Sequence, residues 1–163
     1  MARKLALVVF ALILVVPGTA LGVWGGEPDG NAHPSVGAMY FDGDGDGGVH
    51  VYDLICSGSY AGPSRDGAHD VFLTAGHCLP PGDLGLPAFL LKVSFDDNGA
   101  DMIPDSPITV SEYHQMPGFG HDSGDLRDLG ILLLPRGSVA AAFPAAAANA
   151  VQLPTANYMD DLK

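Results

Sequence analysis

The sequence predicts an all-β fold, an antiparallel β-barrel or sandwich. Short apolar runs alternate with clusters of Gly, Pro, Asp and Asn, as in short strands joined by turns. No long segment carries apolar residues at the 3.6-residue period of an amphipathic helix. A length of 163 residues favours one domain, or part of one large all-β domain. Six strands are expected, over residues 35–41, 49–59, 71–75, 89–95, 108–114 and 129–134.

Residues 1–22 have the layout of a secretory signal peptide. A positively charged start is followed by an apolar stretch over residues 5–16 and by the small residues 17–20 (Pro-Gly-Thr-Ala). The apolar stretch is shorter than the ~20 residues that span a bilayer, so a retained membrane anchor is the weaker interpretation. Cleavage after Ala20 and cleavage after Gly22 both fit the pattern. We expect a secreted or extracytoplasmic protein with no membrane attachment after cleavage.

An acidic loop follows the first expected strand. Asp42, Asp44 and Asp46 alternate with glycines. Asp53 stands at the twelfth position of this loop and Val49 at the eighth, which fits an EF-hand-like calcium loop. No helix is predicted on either side, and Asp-Gly is also ordinary chemistry for a hairpin turn. A solvated hairpin loop is the preferred interpretation, calcium is the alternative, and no other cofactor is expected.

The expected strand at 71–75 leads into His77 and Cys78. A histidine placed just beyond a buried strand is positioned for chemistry, although a core or edge residue is the alternative. Cys56 is the only other cysteine, and two cysteines in an exported chain most simply form one disulfide. Two unpaired buried thiols are the alternative. The other histidines show no zinc-binding spacing, and we expect each at the surface or in a turn: His33, His50, His69, His114 and His121.

Asp128 opens the apolar run 129–134. A carboxylate at that position loses solvation unless it accepts hydrogen bonds. An imidazole N–H is a suitable donor, and the pair would make an oriented general base. Asp125 is a competitor, but it lies in a polar turn and does not start the strand. His77 and Asp128 are therefore the candidate catalytic residues.

Residues 139–150 are rich in Ala, which favours helix, but Pro144 interrupts them and no charged face would solvate a helix. We expect an irregular linker with a helical turn. The net charge of −12 at pH 7 argues against nucleic acid and anionic lipid as partners, because affinity for both depends on Lys and Arg at phosphates.

Several segments resemble the chymotrypsin/trypsin-like serine protease family. Residues 74–78 (Thr-Ala-Gly-His-Cys) are similar to the family's Thr-Ala-Ala-His-Cys, and residues 56–59 (Cys-Ser-Gly-Ser) to its Cys-Ser-Gly-Thr strand. Residues 128–132 (Asp-Leu-Gly-Ile-Leu) resemble the segment with the triad aspartate. Residues 23–26 (Val-Trp-Gly-Gly) are similar to the mature N-terminus, and residues 153–155 (Leu-Pro-Thr) to the linker between two barrels. The matches occur in the family's order.

The resemblance implies a secreted serine endopeptidase that hydrolyses peptide bonds through an acyl-enzyme. His77 would be the general base, Asp128 would hold its tautomer, and a disulfide would join the two cysteines. Residues 23–138 would form the first β-barrel of a double-barrel fold, with residues 139–163 as a truncated inter-barrel linker and the second barrel missing. In that family a freed Val or Ile amine orders the active site, so Val23 is the candidate mature N-terminus.

The nucleophile is where the chain departs from the family pattern. Family members carry it in Gly-Asp-Ser-Gly-Gly-Pro, and no such motif follows Asp128. Residues 122–124 (Asp-Ser-Gly) precede Asp128 and fit a polar turn. We therefore expect a chain that is inactive alone and that engages a polypeptide substrate only when a second barrel completes it. A non-catalytic secreted binding module or pseudo-protease, holding calcium at the acidic loop, is the alternative function.

Overall fold

The structure, a computed structural model, describes residues 30–50, 53–81, 85–96, 106–120 and 124–154. The expected signal peptide, the candidate N-terminus Val23 and the serine of the Asp-Ser-Gly turn all lie outside the described residues.

Antiparallel strands form a single seven-stranded sheet in the order β5-β4-β1-β2-β3-β7-β6, so the all-β prediction is confirmed. The second expected strand begins later than predicted, and the fifth is divided into two. The strands are β1 (Val36–Phe41), β2 (Leu54–Pro63), β3 (His69–Thr74), β4 (Leu91–Ser94), β5 (Ile108–Thr109), β6 (Glu112–Gln115) and β7 (Gly130–Pro135).

One continuous segment joins the two edges of this sheet. β5 pairs with β4, whereas β6 pairs with β7 at the opposite edge. Between them, the Val110 N–H donates to the Leu91 carbonyl (3.0 Å) and the Ser111 N–H donates to the Leu133 carbonyl (2.8 Å). Because adjacent residues bond to opposite edges, the sheet curls into a barrel.

Side chains alternate between the inside of the barrel and its outer face. On β3, Asp70, Phe72 and Thr74 are buried, and the residues between them are half-buried. β7 alternates in the same way, although an apolar run as continuous as 129–134 is typical of a strand buried on both faces. Ile131 and Leu133 occupy its half-buried outer positions. β3 and β7 thus contribute one face each to the core, whereas all four residues of β4 are buried.

Phe95 lies at the centre of an aromatic cluster in this core. Its ring meets those of Tyr60, Phe72 and Phe143 edge to face, with centroid separations of 6.2, 5.7 and 5.6 Å. Gly58 permits this packing, because a Cβ at that position would lie 2.5 Å from the Phe72 ring. A glycine is therefore required where β2 passes the cluster.

Two short helices, α1 (Ser138–Ala142) and α2 (Pro144–Ala148), pack against the barrel, where an irregular segment with one helical turn was expected. Proline is the first residue of α2, a position where its missing N–H costs nothing. Buried Asp70 accepts hydrogen bonds from the Val139 N–H in α1 (3.1 Å) and from the Tyr60 hydroxyl (3.4 Å). This carboxylate ties the helical segment to the sheet.

Candidate active site

The end of β3 positions His77. The Thr74 hydroxyl donates to the Ser57 carbonyl (2.9 Å), which fixes the strand end against β2. The chain then forms a 3₁₀ turn over Gly76–Cys78, closed by a hydrogen bond from the Cys78 N–H to the Ala75 carbonyl (3.2 Å). Gly76 is buried, and the turn projects the His77 side chain outward, where it is 63% exposed.

Asp128 directs both carboxylate oxygens to His77. Oδ2 lies 2.7 Å from the His77 Nδ1, and Oδ1 accepts the His77 backbone N–H at 2.8 Å. The carboxylate stands just before β7, in the place that the sequence predicted. Its side chain is 36% exposed, so it is less deeply buried than a strand-opening acid was expected to be.

These hydrogen bonds fix the protonation of the pair. The bond from the imidazole, and after it the bond from the His77 backbone N–H, hold the pKa of Asp128 below its usual value, although partial burial opposes the shift. The carboxylate is therefore ionised at neutral pH and can only accept, so the neutral imidazole must carry its proton on Nδ1. Nε2 then has a free lone pair, and no residue of the described ranges hydrogen-bonds to it.

The competing carboxylate, Asp125, has a different partner. Arg127 forms a two-pronged ion pair with it, at 2.9 Å from Nε to Oδ1 and 3.0 Å from Nη2 to Oδ2. The Gly120 N–H donates to Oδ2 as well (2.9 Å). The guanidinium bond first, and then the backbone bonds, hold the pKa of Asp125 far below its usual range. Asp125 thus stabilises its own turn and has no bond to the histidine.

Gln115, on β6, is a part of the site that the sequence did not reveal. Its side-chain amide donates to the Gly76 carbonyl (2.8 Å) and is 3.3 Å from the Leu79 carbonyl. The amide therefore binds both ends of the turn that carries His77. A single glutamine in a short polar strand matches no motif, so only the fold brings it to this position.

The predicted disulfide between Cys56 and Cys78 is present, with a Cα–Cα distance of 6.0 Å. It links β2 to the residue after His77. A cross-link across a loop of this length stabilises a fold by about 3 kcal/mol when it is unstrained. The disulfide therefore restrains the C-terminal end of the histidine turn, at Cys78.

An open, mainly apolar depression of about 450 Å³ lies beside His77. The disulfide forms part of its lining. The remaining lining residues come from β1, β2 and the segment after the turn: Phe41, Ile55, Leu79, Pro80, Pro81 and Leu86.

Asp42, the first residue of the acidic loop, is bound within the protein. Its side chain is only 2% exposed, and its oxygens accept the N–H groups of Gly45 (2.8 Å) and Gly47 (3.0 Å). The Lys92 ammonium lies 3.5 Å from Oδ2. Burial would raise the pKa of Asp42, but the backbone hydrogen bonds and the lysine charge together outweigh it and lower the pKa. The buried Asp42 carboxylate thus holds the backbone of the loop in place through these hydrogen bonds.

Asp44 and Asp46, farther along the loop, are exposed, and Asp53 is half-buried. Ligand atoms of Asp44, Asp46 and His50 lie within 4.8 Å of one another. The His50 Nε2 is 3.3 Å from the Asp46 carboxylate, and its backbone N–H donates to Asp53 (2.7 Å). Calcium binding by Asp42, Asp44, Asp46 and Asp53 stays a prediction.

The remaining histidines lie in three settings. His33 is in a turn and His114 is exposed on β6, 3.3 Å from Glu112. His69 departs from expectation, because it begins β3 and its Nδ1 is buried without a hydrogen-bond partner in the part of the chain that is described. His121 lies outside the described residues.

Comparison with known proteins gives no family for the chain: no protein-family model matches it, and no curated protein is similar to it. Within the described ranges, no helix has the length and apolar character needed to cross a bilayer.

Proposed function

We propose that the chain carries the general base and its orienting acid for a secreted serine endopeptidase of the trypsin-like kind. The observation that carries this proposal is the double engagement of Asp128 with His77, at 2.7 Å to the ring and 2.8 Å to the backbone. An ordinary surface ion pair needs only the contact between the two charged side chains. The second bond, to the His77 backbone N–H, orients the carboxylate and the ring, and orientation is what a catalytic base requires.

The proposed chemistry follows from the tautomer. Nε2 accepts the proton of a serine hydroxyl as the oxygen attacks a peptide carbonyl, and the same nitrogen later gives the proton to the leaving amine. The Asp128 carboxylate stabilises the imidazolium that forms in between. In the complete enzyme, Asp128→Asn should lower kcat roughly 10⁴-fold, because the amide no longer enforces the reactive tautomer.

A second barrel outside these residues would supply the nucleophile, the oxyanion hole and the substrate pocket. The exposure of His77 and Asp128 supports this arrangement. A histidine–aspartate pair that acts as a general base works best where water is excluded, and a second barrel would cover the pair. The disulfide agrees with an oxidising, extracytoplasmic location. The 163-residue chain alone would then lack peptidase activity, and its substrate would be a polypeptide.

The test begins with the coding sequence beyond the Lys163 codon. The proposal expects an in-frame Gly-Asp-Ser-Gly-Gly motif, and the full product should be labelled by a fluorophosphonate probe on that serine. His77→Ala should abolish labelling, whereas His50→Ala, a matched exposed histidine, should leave it unchanged. Labelling that survives His77→Ala, or a full product with no reactive serine, would refute the proposal.

A non-catalytic secreted binding module is the second candidate. The observation that favours it is the convergence of Asp44, Asp46 and His50 ligand atoms within 4.8 Å at the exposed acidic loop. Calorimetry with calcium tests this candidate on the chain as it stands. Saturable heat that Asp44→Asn removes would support it, and no heat at millimolar calcium would end it.

A further inference from the structure

Three ligands suited to a soft metal ion meet beside the depression. The Sγ atoms of Cys56 and Cys78 and a ring nitrogen of His77 all lie within 4.8 Å of one another. In the oxidised protein the two sulfurs are bonded to each other and cannot act as thiolates. We propose that reduction of this disulfide creates a Cys₂His site for zinc or a similar divalent cation, with the fourth position open to the depression.

The ligand set and its spacing fit zinc. Zinc takes thiolate sulfur at about 2.3 Å and imidazole nitrogen at about 2.0–2.1 Å in a tetrahedron, which separates any two such ligands by roughly 3.5–3.8 Å. The sulfurs must therefore move apart from bonding distance, and the imidazole must approach them until Nε2 reaches this separation. Rotation of the cysteine side chains can supply this movement, since the Cα atoms are already 6.0 Å apart.

Asp128 prepares His77 for such a role. Ligating histidines in proteins usually donate their second ring N–H to a carboxylate, which fixes the tautomer and raises the basicity of the metal-binding nitrogen. The Nδ1–Oδ2 contact of 2.7 Å provides this arrangement, and it presents Nε2 as the ligand. The pair built for base catalysis is thus also a histidine–carboxylate pair suited to a metal.

The depression gives both the reductant and the cation a route to the site. Both cysteines and His77 belong to its lining, so the disulfide is reachable from solvent. An external dithiol reductant supplies two electrons and two protons, becomes a disulfide itself and leaves two Cys thiols. Cation binding then releases the two thiol protons to solvent, and two thiolates with one neutral imidazole balance the charge of a divalent ion.

The consequence for catalysis rests on the proposed function, whereas the metal site does not. A cation on Nε2 would occupy the lone pair that the general base needs. Reduction with zinc present would therefore silence the complete peptidase. Metal binding is measurable on the 163-residue chain without any activity, so failure of one proposal is distinguishable from failure of the other.

The experiment uses the whole chain, reduced with a dithiol that is then removed under anaerobic conditions, and cobalt(II) as the probe. We expect one cobalt per chain, thiolate-to-cobalt charge-transfer absorption, tetrahedral d–d bands and displacement by zinc. The oxidised chain should show none of these bands. Equal cobalt spectra for the oxidised and reduced chains would overturn the proposal. Loss of the β-sheet circular dichroism on reduction would also overturn it, because the ligands would no longer converge.

Matched variants identify the ligands. His77→Ala should weaken cobalt binding at least about 10-fold, and Asp128→Asn by about 10- to 100-fold through the lost support of the imidazole. His50→Ala is the control, since His50 belongs to a second group of potential metal ligands, together with Asp44 and Asp46. Unchanged affinity in the His77 variant, or an equal loss in the His50 variant, would refute the assignment.

Discussion

At the scale of single residues, the site depends on Asp128, whose carboxylate accepts hydrogen bonds from both the ring and the backbone of His77. The sequence predicted the pairing of His77 with Asp128, because a histidine after an apolar strand and an acid before another are unusual placements for polar groups. Their hydrogen bonds are present, and their catalytic role stays a prediction. The sequence did not predict how exposed these two side chains are. Burial of a side chain depends on which segments pack over it, and over the described residues nothing covers this pair fully.

Gly76 is the residue that allows the acid to approach the histidine turn. A Cβ there would lie 3.1 Å from the Phe119 ring, 3.2 Å from the Asp128 Oδ1 and 3.2 Å from the Leu129 nitrogen. In this chain, the absence of a methyl group at position 76 leaves room for the Asp128 carboxylate beside the turn.

Gly76→Ala should therefore loosen the pair. The methyl group would push Asp128 away, and we expect destabilisation by roughly 1–3 kcal/mol, the usual cost of overpacking. Urea unfolding followed by circular dichroism measures it, together with faster amide exchange of the His77 N–H. An unchanged unfolding midpoint with an unchanged exchange rate would show that the turn has more room than these distances give.

At the scale of elements, three contacts hold the histidine turn: the hydrogen bonds to Asp128, the disulfide and the hydrogen bonds from Gln115. The disulfide and the acid were predictable, because cysteines and strand-opening acids are rare enough to stand out. Gln115 was not predictable, since its role comes from the pairing of β6 with β7. Pairing between strands distant in sequence is set by the whole barrel rather than by local pattern.

Gln115→Ala tests this third support. Loss of the hydrogen bonds to the Gly76 and Leu79 carbonyls should destabilise the protein by about 0.5–1.5 kcal/mol and speed amide exchange across the turn. Gln152→Ala is the matched control, because that exposed glutamine makes only a 3.5 Å local contact. Equal effects of the two substitutions would contradict a role for Gln115 in holding the turn.

Other differences between sequence and structure also arise at this scale. The apolar pattern over 108–114 predicted one strand, but the chain bends there to reach both edges of the sheet. The Ala-rich segment forms two helices, and Asp70, buried in β3, accepts the Val139 N–H in the first turn of α1. The segment 108–114 is distant in sequence from at least one of the strands it pairs with, and Asp70 is distant in sequence from α1. The local sequence pattern therefore could not predict these contacts.

At the scale of the whole molecule, the barrel carries many carboxylates whose pKa values lie below their usual values. Such a group has a folded pKa lower than its unfolded pKa, so the folded state binds fewer protons. Its stabilising contribution is complete above the unfolded value near 3.8 and is lost as the pH falls through the folded pKa. The members of this set are Asp42, Asp46, Asp66, Asp125 and Asp128.

We therefore expect stability to fall on acidification below about pH 4, as measured by urea midpoints at pH 7 and pH 3. His50 has the opposite sign, since the hydrogen bond from its ring to Asp46 raises its pKa. Its contribution is present below its unfolded value of 6.5 and is lost at higher pH. An equal or higher urea midpoint at pH 3 would contradict the described carboxylate interactions.

The most direct test of the account is the tautomer of His77, read from the ¹⁵N and ¹H resonances of its ring in the oxidised 163-residue chain. The account predicts that the neutral ring carries its proton on Nδ1, with a far-downfield proton resonance, and has an unprotonated Nε2. Asp128→Asn should abolish this preference, and Asp125→Asn should leave it intact. A wild-type ring protonated on Nε2, or a mixture like that of free histidine, would contradict the claim that Asp128 prepares His77 as a base.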